Sequence, residues 1–306
     1  MSGAGKKRNG GSGGRPGRPG PPRREQLVTV LSHARPDKTR DALGELAEIA
    51  ARRGAVLLLD AVETAKFDLD GSEVGVLIDQ PLRHDVDLCV ALGGDGTILR
   101  GLREYGGTST PVFGVNFGEV GFLSTVEPKG LREGFELALD GELELLHLPA
   151  IEIETASGSW SALNDVALHR KVGGRVAELS YGLAGHEVGS VRCDGLVVAT
   201  PAGSTGYNLA NGGPVLAWGV EGMVVSFIAP HSLTARSLVI APSDVLTLHN
   251  NSHEPLDISV DGRPVAEIAT GEAIDARFVD AVGTIAQLPG SSFYRRLREK
   301  FGRLAS

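Results

Sequence analysis

The chain has 306 residues, with 30 basic and 38 acidic side chains and a formal net charge of −8. Residues 1–24 hold seven bases and no acid, so a basic Gly/Pro-rich tail, too poor in apolar residues to bury a core and expected to be disordered, precedes an acidic body. The acidic body argues against nucleic acid as the main ligand. No run reaches the roughly 18–20 apolar residues of a membrane span, and the amino end lacks a secretory signal's apolar stretch.

From residue 26 the pattern alternates strand and helix. Residues 26–32 (QLVTVLS) read as a strand. Residues 36–53 read as a helix with Ala42, Leu43, Leu46, Ile49 and Ala50 on one face. Strands are expected at 55–59, 85–92 and 111–115, and helices at 97–105 and 128–139. Strands separated by helical crossovers imply a parallel sheet. After Pro149 the elements become short strands at 151–154, 161–169, 178–183, 196–200, 224–228, 237–240, 245–249, 256–260, 274–278 and 284–288. Val260-Asp261-Gly262-Arg263 reads as a tight hairpin, because Asp-Gly accepts the positive φ of a type I′ turn. Residues 292–304 form a closing amphipathic helix, placed to fold back on the first domain. The expected architecture is α/β with a parallel sheet over 25–148, then a β-rich, sandwich-like domain over 149–289, with 290–306 as the terminal helix. Cys89 and Cys193, neither in a CxxC, predict no disulfide framework or zinc site and fit a reducing cytoplasm.

Glycine is in excess, and eight of the 42 glycines lie in the tail. The rest must be located, because glycine serves where backbone turns tightly or meets a ligand closely. Leu92-Gly93-Gly94-Asp95-Gly96-Thr97 ends an apolar strand and opens a helix, the position at which open parallel sheets bind ligands. Its amides and helix N-terminus suit a phosphate, and Asp95 offers a carboxylate for general-base work or a metal. The loop matches neither GxGxxG nor GxxxxGK[ST]. A second cluster, Thr200-Pro201-Ala202-Gly203-Ser204-Thr205-Gly206-Tyr207, adds hydroxyls, bare backbone and a ring on which a base can stack. Asn164-Asp165 is a polar pair in an apolar strand, suited to two adjacent ribose hydroxyls. His169, Arg170, Lys171 and Arg175 form a basic group, and Arg192 and Asp194 precede the strand that leads into the second cluster.

In this order the motifs resemble the NAD kinase family (ATP/polyphosphate-dependent): GGDGT at 93–97, Asn-Asp at 164–165, Asp-Gly at 194–195, TPAGSTGY at 200–207, GGP at 212–214, then His231 to Arg236. GGDGT alone also occurs in related form in diacylglycerol kinases and 6-phosphofructokinases. The resemblance implies phosphoryl transfer from ATP or another donor to the 2′-hydroxyl of the adenosine ribose of NAD. A divalent metal, Mg2+, travels with the donor, and no metal ligand is assigned to the protein. It also implies Asp95 as the base, with Gly96 beside it, and Asn164, Asp165 and Asp194 as NAD contacts. Thr205, Gly206 and Tyr207 form the adenosine wall, which Asn208, Leu209 and Ala210 continue. Arg100, Arg175 and Arg192 are candidate phosphate or NAD contacts, and a homodimer or homotetramer is implied. The family's second motif usually reads TPTGSTAY, its Asn is usually followed by Glu, and Pro usually follows the residue matching Arg236. Here Ala202, Gly206, Asp165 and Ser237 depart, which bears on donor preference and affinity. Two other readings stay open: a lipid or sphingoid-base kinase, against which the polar Asn164-Asp165 and Tyr207 weigh, and a non-catalytic dinucleotide sensor, against which Asp95 weighs.

Overall fold

The structure, a computed structural model, describes residues 25–72, 75–118 and 121–302. The basic tail and the last four residues lie outside it. Strands β1 (Gln26–Ser32), β2 (Ala55–Leu58), β3 (Val76–Leu77), β4 (Leu88–Gly93) and β5 (Val112–Asn116) pair in parallel in the order β3-β2-β1-β4-β5. The order reverses between β1 and β4, so a crevice opens beyond their carboxyl ends, where Ser32 and Gly93 lie. Helices α1 (Arg40–Arg53) and α4 (Leu131–Asp140), with Phe67 of α2 (Ala61–Phe67), cover one face; α3 (Asp95–Glu104) covers the other. The expected apolar stripe of α1 is the buried one, and Gly54 ends that helix at φ 69°. The sequence pattern did not mark α2, although Asp60 caps it by accepting from the Glu63 N–H at 2.8 Å.

The second half is a two-sheet sandwich. Strands β6 (Glu144–Thr155), β7 (Gly158–Ala162), β8 (Asp165–Arg170), β9 (Ala177–Leu183), β10 (His186–Cys193) and β11 (Gly195–Ala199) lead to the short α5 (Tyr207–Ala210). Then come β12 (Met223–Ile228), β13 (Leu238–Ile240), β14 (Leu246–Asn250), β15 (Leu256–Val260), β16 (Arg263–Ile268), β17 (Ala273–Gln287) and α6 (Phe293–Gly302). One sheet is antiparallel throughout, ordered β13-β12-β11-β8-β15-β16. Its inner face meets the other sheet over a core that includes Val166, Leu168, Leu196, Val198, Leu246 and Ile258.

The sequence pattern leaves β3, β10 and β16 unmarked as well, and three further features differ from it. Residues 161–169 are not one strand, because the pairing breaks at Leu163–Asn164 between β7 and β8. The strands expected at 274–278 and 284–288 are one long β17, with an irregularity between Val279 and Gly283. That strand begins in the sandwich and ends beside β5, to which it pairs in parallel, so one 11-stranded sheet runs through both halves. The expected boundary at 148/149 therefore falls inside β6. The core on the α3 side is shared too: Ile98, Leu99 and Leu102 pack with Leu163, Ala202, Trp218 and Ile285. This contact presses the polar start of β8 and the second glycine cluster against the helix that begins at Asp95.

Phe113, fully buried in β5, tests the core on the opposite face, under α1 and α4. Phe113→Ala should cost about 3–5 kcal/mol of unfolding free energy. Urea denaturation checks this, and a cost below about 1 kcal/mol would contradict it.

Candidate active site

Asp95 is the first residue of α3, and Gly94 holds the N-cap position in extended backbone. A Cβ on Gly93 would collide with the Thr97 side chain, so the tight exit from β4 requires glycine there. The Asp95 carboxylate accepts two backbone bonds, from Phe122 N–H at 3.0 Å and Leu123 N–H at 3.1 Å. Burial raises its proton affinity above the ordinary carboxylate range; the two amides, Lys300 and Arg296 pull it back down. The result is a fixed, mostly buried carboxylate at the crevice between β1 and β4.

Asn164, Asp165 and Tyr207 line one open cavity of about 1040 Å³, together with His169, Arg170 and Asp261. Three amides at the start of β8 bond to the Asp261 carboxylate: Asn164 N–H at 2.7 Å, and Leu163 and Asp165 N–H at 3.3 Å each. Asp261 is the first residue of the Asp-Gly hairpin turn, at φ 48°. Sequence reasoning saw the turn but not this role. Gly203 seats the second glycine cluster on the same spot, since a Cβ there would collide with the Asn164 carbonyl oxygen. Thr200 adds its N–H to that oxygen at 2.9 Å and its hydroxyl to the Leu163 carbonyl at 2.7 Å.

Asp165 is buried beside Asp261, and both effects push its carboxyl up, to about 7. Burial also raises Asp261, but its three amides and Arg103, 3.7 Å away, oppose the shift. The three amides and Arg103 favour the charged form of Asp261, so Asp165, which has no such donors, is the member pushed toward its protonated form. Tyr207 stacks on His169, with centroids 5.7 Å apart and planes 20° from parallel. Burial lowers the His169 proton affinity, which favours a neutral imidazole in the stack.

Arg175, Arg192 and Asp194 line a different cavity of about 750 Å³, with His231 and His253. Arg170 lines both cavities and binds Asp194 at 2.6 Å. Arg100 is engaged with buried Glu63 at 2.6 Å; Lys66 and the Ser32 hydroxyl bind the same carboxylate. Asn208 is wholly buried, and its side-chain amide donates to the Ser204 and Pro214 carbonyls at 3.0 and 2.9 Å. It therefore shapes the loop that presents Tyr207. Thr205 donates to the Ala202 carbonyl at 3.0 Å, Gly206 is exposed ahead of α5, and Leu209 and Ala210 complete that helical turn. Glu63 carried no motif, and the RRLREK run gave no sign that one arginine on α6 turns inward.

Residues 55–143 match the ATP-NAD kinase N-terminal domain and residues 163–279 the ATP-NAD kinase C-terminal domain. The chain is 34% identical over 259 residues to an NAD kinase of Gemmatimonas aurantiaca, covering 80% of this chain and 89% of that one. It is 30% identical over 281 residues to an NAD kinase of Nitrosomonas europaea, covering 90% and 94%. Among solved structures, yeast NADH kinase complexed with NADH superimposes with a TM-score of 0.81 at 26% identity, covering 92% of this chain and 89% of that one. An NAD kinase from Archaeoglobus fulgidus in complex with ATP shares the fold with a TM-score of 0.67 at 24% identity, covering 92% and 99%.

Two outcomes follow from the carboxylate pair. Asp261→Ala leaves three amides without their acceptor and should cost about 2–4 kcal/mol, whereas Asp261→Asn, which tolerates the positive φ and keeps an acceptor oxygen, should cost less than half of that. Equal losses in chemical denaturation would contradict the clamp. The raised Asp165 carboxyl makes the folded protein hold a proton that the unfolded chain releases near its ordinary value of 3.8. That stability is present at low pH and is lost as pH rises through about 7. Without ligand, the wild type should lose stability relative to Asp165→Asn between about pH 4 and 7, by up to about 1.4 kcal/mol per pH unit, and run parallel to it above that. Stability curves parallel across that window would contradict it.

Proposed function

The chain belongs to the NAD kinase family, and from that premise we propose that the cavity around Asn164, Asp165 and Tyr207 receives NAD while Asp95 takes the proton from its ribose. The protein is a phosphotransferase that makes NADP. The acceptor is the 2′-hydroxyl of the adenosine ribose, a weak nucleophile that gains from a carboxylate within hydrogen-bond reach. What supports Asp95 in this role is its fixation: two amides orient it at the carboxyl end of β4, and burial raises its proton affinity. In the acceptor cavity, the Asn164 amide and the Asp165 carboxyl group suit adjacent hydroxyls. The Tyr207 ring, 37% exposed and backed by His169, suits the adenine.

The donor reading is ATP, in keeping with the ATP-NAD kinase description of both matching domains. The start of α3, whose Thr97 and Ile98 amides bond to the Gly94 carbonyl, places the positive end of the helix dipole at the crevice, which favours the donor's phosphates. A donor-borne Mg2+ would neutralise phosphate charge. Among the described residues no group of three or more His, Cys, Asp or Glu forms a metal cluster. Arg192, Asp194 and Arg175 belong to the reading as further NAD or phosphate contacts from their own cavity, Arg100 as a phosphate contact, and a homodimer or homotetramer as the assembly. The cytoplasm is its compartment; two buried free cysteines support a reducing one. No described helix is long and apolar enough to cross a membrane.

The direct test mixes purified protein, Mg2+, ATP and NAD and follows NADP enzymatically. NADP should accumulate, and Asp95→Asn should lower the turnover by about 10²–10⁴-fold with the fold intact by circular dichroism. No NADP with ATP, other nucleoside triphosphates or polyphosphate would overturn the activity. Near-normal turnover in Asp95→Asn would overturn the base.

A further inference from the structure

α6 carries a side chain that the motifs do not predict. Arg296 is 9% exposed, although arginine is rarely buried without a partner. Its Nη1 donates to the Phe122 carbonyl at 2.7 Å. Its guanidinium lies 5.0 Å from the Trp218 ring centroid, in cation–π geometry. Trp218 is itself buried and packs on Phe293, one helical turn before Arg296, at 5.5 Å. Phe301 meets Phe122 at 6.2 Å, so the helix is seated at both ends.

The Phe122 residue is therefore held from two directions. Its N–H goes to Asp95 and its carbonyl to Arg296. We propose that Arg296 is a positioning residue for Asp95: it fixes the 122–123 peptide through the Phe122 carbonyl, so that the Phe122 and Leu123 amides aim the carboxylate at the acceptor hydroxyl. The carbonyl that Arg296 grips belongs to the same peptide unit as the Leu123 N–H, so a shift of one moves the other. Burying a guanidinium is costly, and spending it on one loop carbonyl beside a carboxylate is hard to explain as packing alone. The charged groups facing Asp95 are Arg296 and Lys300, both from α6; Glu127 and Glu299 face Arg296 in turn. Trp218 closes the arrangement from the segment after Gly212-Gly213-Pro214, so the base, the terminal helix and the second glycine cluster share one joint.

The proposal rests on the reading of Asp95 as the base, and the test separates the two. Arg296→Met and Arg296→Lys are assayed for NADP formation across pH, alone and combined with Asp95→Asn. Arg296→Met should lower kcat at least tenfold while KM for NAD stays within about threefold. Loss of the cation should move the acidic limb of the kcat profile to higher pH, and Arg296→Lys should restore that limb without restoring full kcat. In the Asp95→Asn background, Arg296→Met should change kcat less than twofold, because there is no base left to aim. A tenfold loss in both backgrounds would mean a structural role and overturn the proposal. So would wild-type kcat and an unmoved limb in Arg296→Met, with Asp95→Asn inactive. If Asp95→Asn stays active, the base reading itself fails. Should Arg296→Met not fold, the Arg296→Lys pair carries the test: an unchanged kcat and limb position there would overturn the proposal.

Discussion

Three amides in a row, those of Leu163, Asn164 and Asp165, bond to one carboxylate, Asp261. Much of the candidate site follows from that clamp. A regular strand would send alternate amides to opposite neighbours; converging them stops the pairing and separates β7 from β8. The polar pair Asn164-Asp165 then starts a new strand at the rim of the cavity. The same convergence puts Asp165 beside a second buried carboxylate, and the amides decide which of the two stays charged. Gly203 completes the junction, because only a residue without a Cβ lets the second glycine cluster lie on the Asn164 carbonyl.

Helix α3 ties this clamp to the chemistry. Asp95 stands at its first residue, and Arg103, near its last turn, reaches to within 3.7 Å of Asp261. A pair at that distance adds little stability by itself. Its consequence is geometric: the helix that begins at Asp95 also abuts the carboxylate that shapes the cavity of Asn164, Asp165 and Tyr207. A body of net negative charge can hold anionic substrates in this way. Helix amides and a few placed guanidiniums create the local field, whatever the overall charge.

Much of this was legible in the sequence because local rules governed it. The α1 stripe, the buried β4 ending in Gly93, and the Asp261-Gly262 turn read off by periodicity and turn chemistry. Gly93, Gly203, Asn164 and Tyr207 stood out as residue types misplaced in ordinary strands and helices. Long-range partnerships were not legible. Asp261 looks like any Asp-Gly turn until β15 is laid beside β8, nearly one hundred residues away in sequence. Arg296 sits in a run of basic residues of which one turns inward, and helix periodicity does not say which face meets Phe122. Arg100 follows GGDGT in sequence, but its pairing with buried Glu63 is another partnership that no local pattern announces. Asn208 follows the adenosine wall in sequence, yet folds inward to hold its own loop.

On the proposed function, a ribose bound at Asn164 and Asp165 presents its 2′-hydroxyl to Asp95. A crystal structure of the protein with NAD bound tests it most directly. The adenine should lie on Tyr207, with the 2′-oxygen within hydrogen-bond reach of an Asp95 oxygen, about 2.6–3.2 Å. NAD seated in the same cavity with that hydroxyl turned away from Asp95 would contradict the account.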